Sequence, residues 1–134
     1  MPIADHHILE KGFKNISQNG QVTGFQLKVQ SGYYRGVYVC LLEDFEITID
    51  GERMPRGQVR FTTPDGAHTY SLDEMEKIMD VRWPWMEPAT LTVLKPGGLK
   101  PGVHDVQVVQ KTRVSYMPVQ PSVSTFKKKM TMME

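Results

Sequence analysis

Several stretches of this chain alternate apolar and polar residues with a period of two, which is the pattern of a β-strand with one wet face. Residues 25–29 and residues 45–49 show it most clearly, each with three apolar positions separated by polar ones. An Asn19-Gly20 pair precedes the first run and an Asp50-Gly51 pair follows the second, and both pairs favour tight hairpin turns. The pattern therefore predicts two amphipathic strands, each bounded by a tight turn.

Two further segments carry strand signals of a different kind. Residues 54–63 predict a weaker returning strand, with Val59 and Phe61 pointing inward. Residues 37–42 are apolar at both parities, which predicts a segment covered on both sides by a second sheet or by a partner chain. Cys40 lies in this run, and a small buried hydrophobe is favoured over a reactive thiol because no lysine, arginine or histidine lies within the run.

One short helix is predicted. Ser71 and Glu74 have the spacing of a capping box, in which each residue bonds the other's backbone N–H. The apolar residues that recur on one helical face are Leu72, Met75, Ile78 and Met79. The segment is about two turns long, so it needs tertiary packing to persist.

Residues 87–108 contain two alternating runs joined by a connection rich in proline and glycine. Pro96 and Pro101 remove backbone donors, while Gly97, Gly98 and Gly102 allow positive φ, so no regular element continues through this segment. We interpret it as a β-hairpin. Six or seven short strands with a single short helix place the chain in the all-β class, as an antiparallel β-sandwich or open barrel.

The 134 residues are the length of one domain. We expect a single β-sandwich-like domain across residues 1–134, with an N-terminal arm across about residues 1–13 and a C-terminal arm across about residues 118–134. The C-terminal segment loses the alternation and contains Lys127-Lys128-Lys129 among methionines, which indicates an arm or tail rather than another core strand. Solvation of these lysines is favoured over contact with nucleic acid.

Charge is nearly balanced, with 16 lysines and arginines against 15 aspartates and glutamates and a formal net charge of +1. No net field therefore favours nucleic acid or an anionic membrane, and a neutral ligand or another protein is the expected partner. The N-terminus lacks a basic region followed by an apolar core, and no run approaches the ~20 apolar residues of a membrane span. These features favour a cytoplasmic protein.

No motif predicts catalysis by this chain alone. The four histidines are His6, His7, His68 and His104, and nothing in the sequence brings them together as metal ligands. Asp5, His6 and His7 are adjacent, but neighbouring side chains on an extended chain point to opposite faces. A nucleophile elbow and a phosphate-binding glycine loop are also missing from the sequence. We therefore assign no catalytic residue and no metal ligand.

Aromatic clusters carry the remaining functional signal. Tyr33, Tyr34 and Arg35 lie between two glycines, and Trp83 and Trp85 lie among prolines. Tyr, Trp and Arg are enriched at binding hot spots. These side chains could stack on a sugar or flavonoid ring, or pack against a larger subunit. The structural alternative is that they only plug the open ends of the sandwich.

Four segments together resemble the small β subunit of bacterial C-glycoside deglycosidases. They are residues 87–108, Gly20 to Gln26, Gly32 to Gly36, and Ser115 to Pro118, and the resemblance spans Lys14 to Pro118. It implies a larger α subunit similar to TIM-barrel sugar isomerases, which holds a divalent metal, expected to be manganese, and cleaves the carbon–carbon bond of an oxidised C-glycoside. It also implies that Tyr116 and Met117 belong to the family's end motif, in a plausible interface arm.

Two hypotheses follow. The first is an accessory β subunit of a heteromeric carbon–carbon lyase acting on 3-oxo-C-glycosides, such as oxidised plant flavone or xanthone glucosides. In this role the chain stabilises the metal-bearing α subunit and helps to close its site, and it holds no cofactor itself. The second is a carbohydrate-binding or assembly module with no role in a reaction.

Overall fold

The computed structural model describes residues 7–31, 37–84, 86–114 and 117–132, and of residues 10, 114 and 117–122 the backbone alone. Eleven strands are found in this part of the chain: β1 Ile8–Gln18, β2 Gln21–Val29, β3 Val37–Tyr38, β4 Leu42–Ile49, β5 Glu52–Arg53, β6 Val59–Thr62, β7 Thr69–Ser71, β8 Arg82–Trp83, β9 Ala89–Leu94, β10 Gly102–Val114 and β11 Met117–Met132. Three single-turn 3₁₀ helices cover Val39–Leu41, Arg56–Gln58 and Met75–Lys77.

The strands form two large antiparallel sheets and a small one. One sheet has the order β1-β2-β9-β6-β7, the second has the order β11-β10-β4-β5, and β3 pairs with β8 alone. Buried side chains from both large sheets form one hydrophobic core, in which Phe45 of β4 stacks on Phe61 of β6 with ring centroids 5.7 Å apart. The chain is therefore an all-β sandwich, as the strand pattern predicts.

The amphipathic strands are confirmed in detail. Phe25, Leu27 and Val29 are fully buried, and the residues between them are half-exposed. Positive φ angles of 54° at Asn19 and 80° at Gly20 make the turn between β1 and β2. Asp50 and Gly51, at 51° and 85°, make the equivalent turn between β4 and β5. A period of two and a turn pair thus set both hairpins locally. The inward positions of β4 (Phe45, Ile47, Ile49) and β6 (Val59, Phe61) are also as predicted.

The predicted hairpin of residues 87–108 is wrong in its pairing. Its strands are β9 and β10, but β9 lies between β2 and β6 in one sheet, while β10 lies between β4 and β11 in the other. Residues 95–101 therefore cross from one layer of the sandwich to the other. Alternation predicts each strand but not its neighbour, and a short Pro/Gly connection can either reverse a strand within a sheet or bridge two layers about 10 Å apart.

The predicted C-terminal arm is also corrected. Met117–Met132 forms β11, which pairs with β10 from residue 122 to residue 132 and again at Met117, and its side chains Phe126, Met130 and Met132 are buried. The alternation was hidden because Lys128 occupies an inward position opposite Val106 and donates from Nζ to the Ile8 carbonyl at 3.2 Å. Lys127 and Lys129 point to the opposite, outer face, since neighbouring residues of a strand alternate.

The predicted N-terminal arm likewise contains strand. β1 begins at Ile8, and both Ile8 and Phe13 are buried in the core. A register shift between Leu9 and Lys14, where Gly12 has a φ of 96°, breaks the period of two that would have revealed this strand. The masking of a strand by a bulge is a local backbone effect that an alternation pattern cannot show.

The predicted helix is a single 3₁₀ turn at Met75–Lys77. Its capping box does form: Ser71 N–H donates to Glu74 Oε1 at 2.8 Å, and Glu74 N–H donates to Ser71 Oγ at 3.3 Å. Leu72 and Met75 are buried, whereas Met79 is 74% exposed, so the apolar face does not continue for a second turn. Residues 37–42 also differ from one continuous covered strand, because β3 gives way to a 3₁₀ turn in which Cys40 is half-buried.

Candidate functional site

The described residues that flank the aromatic motifs meet at one end of the sandwich, which we call the aromatic-loop end. Gln30 donates from Nε2 to the Met86 carbonyl at 2.9 Å, and Gln110 donates from Nε2 to Ser31 Oγ at 3.1 Å. Val37 pairs with Trp83 in the β3–β8 ladder. The described residues that flank the first motif therefore lie close to those that flank the second motif and to the last part of β10, although the three are far apart in sequence.

Most of the predicted site residues lie outside the described part of the chain. These are Tyr33, Tyr34, Arg35, Trp85 and Tyr116. Met117 begins β11, where its backbone pairs with that of Val114, the last residue of β10. Their roles in binding a ligand or a partner stay predictions, and the structure locates the backbone on either side of them.

The predicted place of Trp83 in an exposed binding cluster is corrected, because its side chain lies in the core. It is fully buried, and its ring centroid lies 5.3 Å from that of Phe61 and 6.0 Å from that of Phe45. Its indole Nε1–H donates to the Glu87 carbonyl at 2.7 Å, which satisfies the only polar atom of the side chain. For this tryptophan the structural alternative applies: it fills the interior of the sandwich.

The other side of the same ladder exposes two hot-spot residue types that the sequence interpretation missed. Alternation in β3 and β8 points Val37 and Trp83 inward, and Tyr38, which is 49% exposed, pairs with exposed Arg82 on the outside. Met86, 53% exposed and held at a φ of 72°, follows close behind. The signal in sequence was the position of Arg82 beside Trp83, but only the pairing with β3 shows that it lies opposite a tyrosine.

A neutral polar cluster lies buried beneath this end. Ser31, Gln110 and Thr112 are each at most 2% exposed, and Gln110 Nε2 donates to both Ser31 Oγ and Thr112 Oγ1. A buried amide of this kind specifies geometry because each of its hydrogen bonds is costly to leave unmade. The cluster therefore ties Ser31, two residues past the end of β2, to the last part of β10. Its three described side chains are neutral, so they can hold the backbone of Ser31 in place but supply no acid–base group of their own.

The histidines do not form a metal centre in the described part of the chain. Within residues 7–31, 37–84, 86–114 and 117–132, no three His, Cys, Asp or Glu side chains come together. His7 stacks on Phe126 with ring centroids 4.7 Å apart, and His68 stacks on Tyr70 at 6.0 Å. His6 lies outside the described residues.

His104 is engaged through both ring nitrogens at the opposite end of the sandwich. Nδ1 lies 2.6 Å from Asp50 Oδ2, and Nε2 lies 2.7 Å from the Lys100 carbonyl oxygen. Both partners are acceptors, so the geometry suits the doubly protonated ring. Burial lowers the pKa of His104, but the bond to Lys100 and the bond and charge of Asp50 outweigh it and raise the pKa above its ordinary value. The hydrogen bond from His104 lowers the pKa of Asp50, with help from the Asp105 N–H. This ion pair ties the β4–β5 turn to the crossover and is structural.

Known proteins match this chain over most of its length. A family model for the C-glycoside deglycosidase beta subunit matches residues 3–116. The chain belongs to this family. A C-glycoside deglycosidase beta subunit from Eubacterium cellulosolvens is 37% identical over 108 residues, which cover 80% of this chain and 72% of the relative.

More distant relatives carry similar names. A 3′-dehydrocarminate deglycosidase beta subunit from a Microbacterium species is 28% identical, over 72% of this chain and 71% of the relative. A C-glycoside deglycosidase beta subunit from Arthrobacter globiformis is 25% identical, over 89% of this chain and 87% of the relative.

Membership in a family of deglycosidase beta subunits implies a partner alpha subunit and a place in an enzyme complex. Among the described residues, no helix is long and apolar enough to cross a bilayer. The family match contains both aromatic motifs and all of β10, and ends just before β11 begins.

Proposed function

We propose that this chain is the accessory beta subunit of a heteromeric C-glycoside deglycosidase that cleaves the carbon–carbon bond of 3-oxo-C-glycosides. Family membership over residues 3–116 is the observation that carries the proposal. The name of the Microbacterium relative, a 3′-dehydrocarminate deglycosidase beta subunit, specifies a 3′-dehydro compound as what is deglycosylated, and this supports a 3-oxo sugar as the substrate class.

In this proposal the aromatic-loop end faces the alpha subunit and helps to close its active site. Tyr38 and Arg82 form an exposed cross-strand pair, and both residue types are enriched in interface hot spots. The pair stands on a rigid base, because Val37 and Trp83 on the inner side of the same ladder are almost fully buried. Such a base lowers the entropy lost on association, since little of the contact surface has to become ordered.

The reaction is assigned to the alpha subunit, a larger protein of TIM-barrel type that would hold the divalent metal, manganese in this proposal. The described residues of this chain do not fit a metal, because no three potential ligand side chains come together and both nitrogens of His104 already have partners. Bound in the alpha subunit, the metal would polarise the 3-oxo group of the sugar. This chain contributes packing and closure, which exclude water from the site.

A cytoplasmic complex is also part of the proposal. Cys40 is a free, half-buried thiol, and such thiols are typical of a reducing compartment.

The test is reconstitution with the alpha subunit encoded by a neighbouring gene. Each chain is purified alone and in combination, and release of the aglycone from a 3-oxo-C-glucoside is followed by chromatography, with and without chelator and added manganese. We expect no turnover by this chain alone at any metal concentration and restored turnover with both chains. Full activity of the alpha subunit alone would show that the accessory role is wrong. Binding of free sugars by this chain, with no effect on the alpha subunit, would instead indicate a carbohydrate-binding module.

A further inference from the structure

The outer face of the five-stranded sheet has an unusual distribution of charge. Strand register aligns its outward residues into ladder rows that cross the sheet from β1 to β7. One row consists of Lys14, Gln26, Thr92, Arg60 and Ser71. The next consists of Leu9, Lys28, Thr90, Thr62 and Thr69. Among these described outward positions there are three cations and no carboxylate.

The other large sheet shows that this distribution is not a general property of the chain. Its outer face carries acids as well as bases, and several of them form ion pairs. Glu46 lies 2.7 Å from Lys111 and 3.4 Å from Arg53, and Glu43 lies 2.9 Å from Arg113. The whole chain has a net charge of only +1, so the excess of cations on the first face is a local segregation. We call this face, defined by Lys14, Lys28, Arg60 and the polar residues between them, the cation face.

The cations of this face have no carboxylate partner among the described residues. No ion pair within 4.0 Å involves Lys14, Lys28 or Arg60 in this part of the chain. Hydrogen bonds with Ser71 lower the pKa of Glu74, and the charge of Arg60 helps to lower it without an ion pair between them. Glu74 follows β7, and its carboxylate accepts a hydrogen bond from the Ser71 N–H at 2.8 Å. The face therefore keeps a positive potential that a partner can use.

The shape of the face suits contact with a protein. Threonine and glutamine side chains are short or neutral, so they leave the sheet flat enough for close approach between the cations. A third row adds apolar area at one edge, where Ile16 and Leu94, the latter 39% exposed, flank Gly24. The face thus combines neutral polar surface, an apolar margin and three cations that have no carboxylate partner among the described residues, although Arg60 also donates from Nη1 to the Gly57 carbonyl at 2.8 Å.

We infer that the cation face docks on an acidic surface of the alpha subunit. The inference rests on the proposed function, because it takes the alpha subunit as the occupant, and it adds the surface and the chemistry of recognition. Complementary charge across an interface steers association and fixes register more than it adds affinity. A partner docked on this face would also be close to the aromatic-loop end. β9 begins at that end with Ala89, and the row that contains Thr90 is only one residue further along the strand.

The test compares two triple variants of this chain in binding to the purified alpha subunit. Lys14→Gln/Lys28→Gln/Arg60→Gln removes the charges of the cation face. Lys100→Gln/Lys127→Gln/Lys129→Gln is the matched control, which removes three exposed lysines from the crossover and from the outer face of the other sheet. The control also removes two of the cations that line an open groove of about 740 Å³, Lys127 and Lys129, so it tests whether this groove contributes to binding. Affinity is measured by calorimetry at about 50 mM and at about 500 mM salt. Only the higher concentration screens exposed charges within a few ångströms.

We expect about tenfold weaker binding for the first variant at low salt, from three exposed pairs of modest strength. We also expect its affinity to have lost most of its salt dependence, while the control keeps the affinity and salt dependence of the natural chain. Equal affinities and salt slopes for all three proteins would overturn the inference while leaving the proposed function standing. Failure of the natural chain to bind the alpha subunit at all would instead overturn the proposed function.

Two further measurements close the remaining alternatives. Thermal unfolding of both triple variants checks that the sheets are intact. If the cation-face variant unfolds at a lower temperature, its three single variants replace it, and the sum of their effects on affinity is compared with the same expectation. A DNA duplex and an anionic vesicle of mixed phosphatidylserine and phosphatidylcholine are offered as probes of other polyanions. Binding of either probe that depends on Lys14, Lys28 and Arg60, without an effect on the alpha subunit, would overturn the inference.

Discussion

Gly98 lies in the crossover between the two sheets, where an alanine would meet both a backbone and a packing obstacle. Its φ of 60° is in the left-handed region, where a Cβ costs roughly 1–2 kcal/mol. An added Cβ would also lie 2.7 Å from Asn15 Cγ and 2.9 Å from Val22 Cγ1, and it would collide with Asn15 Oδ1. Asn15 must therefore move if residue 98 is alanine.

Asn15 cannot move without breaking the contact that holds the crossover to β1. Its Nδ2 donates to the Leu99 carbonyl at 2.8 Å, and its Oδ1 accepts the Leu99 N–H at 2.9 Å. Each of these bonds contributes about 0.5–1.5 kcal/mol net. Together with the backbone cost, Gly98→Ala should lower the free energy of unfolding by roughly 2–5 kcal/mol. For a chain of this size that corresponds to a fall of the thermal midpoint by about 8–20 °C.

Gly97 provides the matched control one residue away. Its φ is 84°, but an added Cβ would have nothing within 4 Å. Gly97→Ala should therefore cost only the backbone term, roughly 1–2 kcal/mol or about 4–8 °C. Thermal and urea unfolding are measured on both variants, and an unchanged urea slope confirms that stability rather than the unfolded state has changed.

A double-mutant cycle with Asn15→Ala isolates the collision. In that background Gly98→Ala no longer displaces the amide, so its cost should fall toward that of Gly97→Ala, and the two substitutions should not be additive. Equal costs for Gly97→Ala and Gly98→Ala in the natural background, or full additivity in the cycle, would refute this reasoning.

Three other predictions follow from the described contacts. Trp83→Ala should lower the free energy of unfolding of the isolated chain by ~3–5 kcal/mol, because its ring is fully buried against Phe45 and Phe61; an unchanged urea midpoint would contradict its core position. Tyr38→Ala should instead leave the midpoint nearly unchanged and weaken binding to the alpha subunit by ~2 kcal/mol, with Val103→Ala, at a 65% exposed position, as the control. If the two variants bind equally well, Tyr38 is no hot spot. Because the pKa of His104 is raised above 6.5, its pair with Asp50 stabilises the fold fully from about pH 6.5 down to the pH at which Asp50 becomes protonated, and it loses this effect as the pH rises through the folded pKa of His104. His104→Gln should flatten the dependence of the unfolding midpoint on pH in that range, and an unaltered pH profile would show that the pair contributes nothing.

Local chemistry determined the parts of this protein that depend on near neighbours. Alternation fixed which residues of β2, β4 and β6 are buried, since side chains of a strand point to opposite faces whatever the strand pairs with. Asn19-Gly20 and Asp50-Gly51 determined two hairpins, because these pairs adopt positive φ at low cost. The Ser71–Glu74 capping box likewise formed as its spacing predicted, although it starts only one 3₁₀ turn.

The tertiary structure decided what depends on distant pairing. β9 and β10 lie in different sheets because β9 pairs with β2 and β6, whereas β10 pairs with β4 and β11. No residue of the connection between them encodes that choice over a hairpin. The alternation of β11 could not be recognised in the sequence because a lysine, Lys128, occupies one of its inward positions. Its bond to the Ile8 carbonyl on another strand makes that position acceptable. Trp83 became core and Tyr38 became surface through the same ladder, since a buried and an exposed face exist only once β3 lies beside β8.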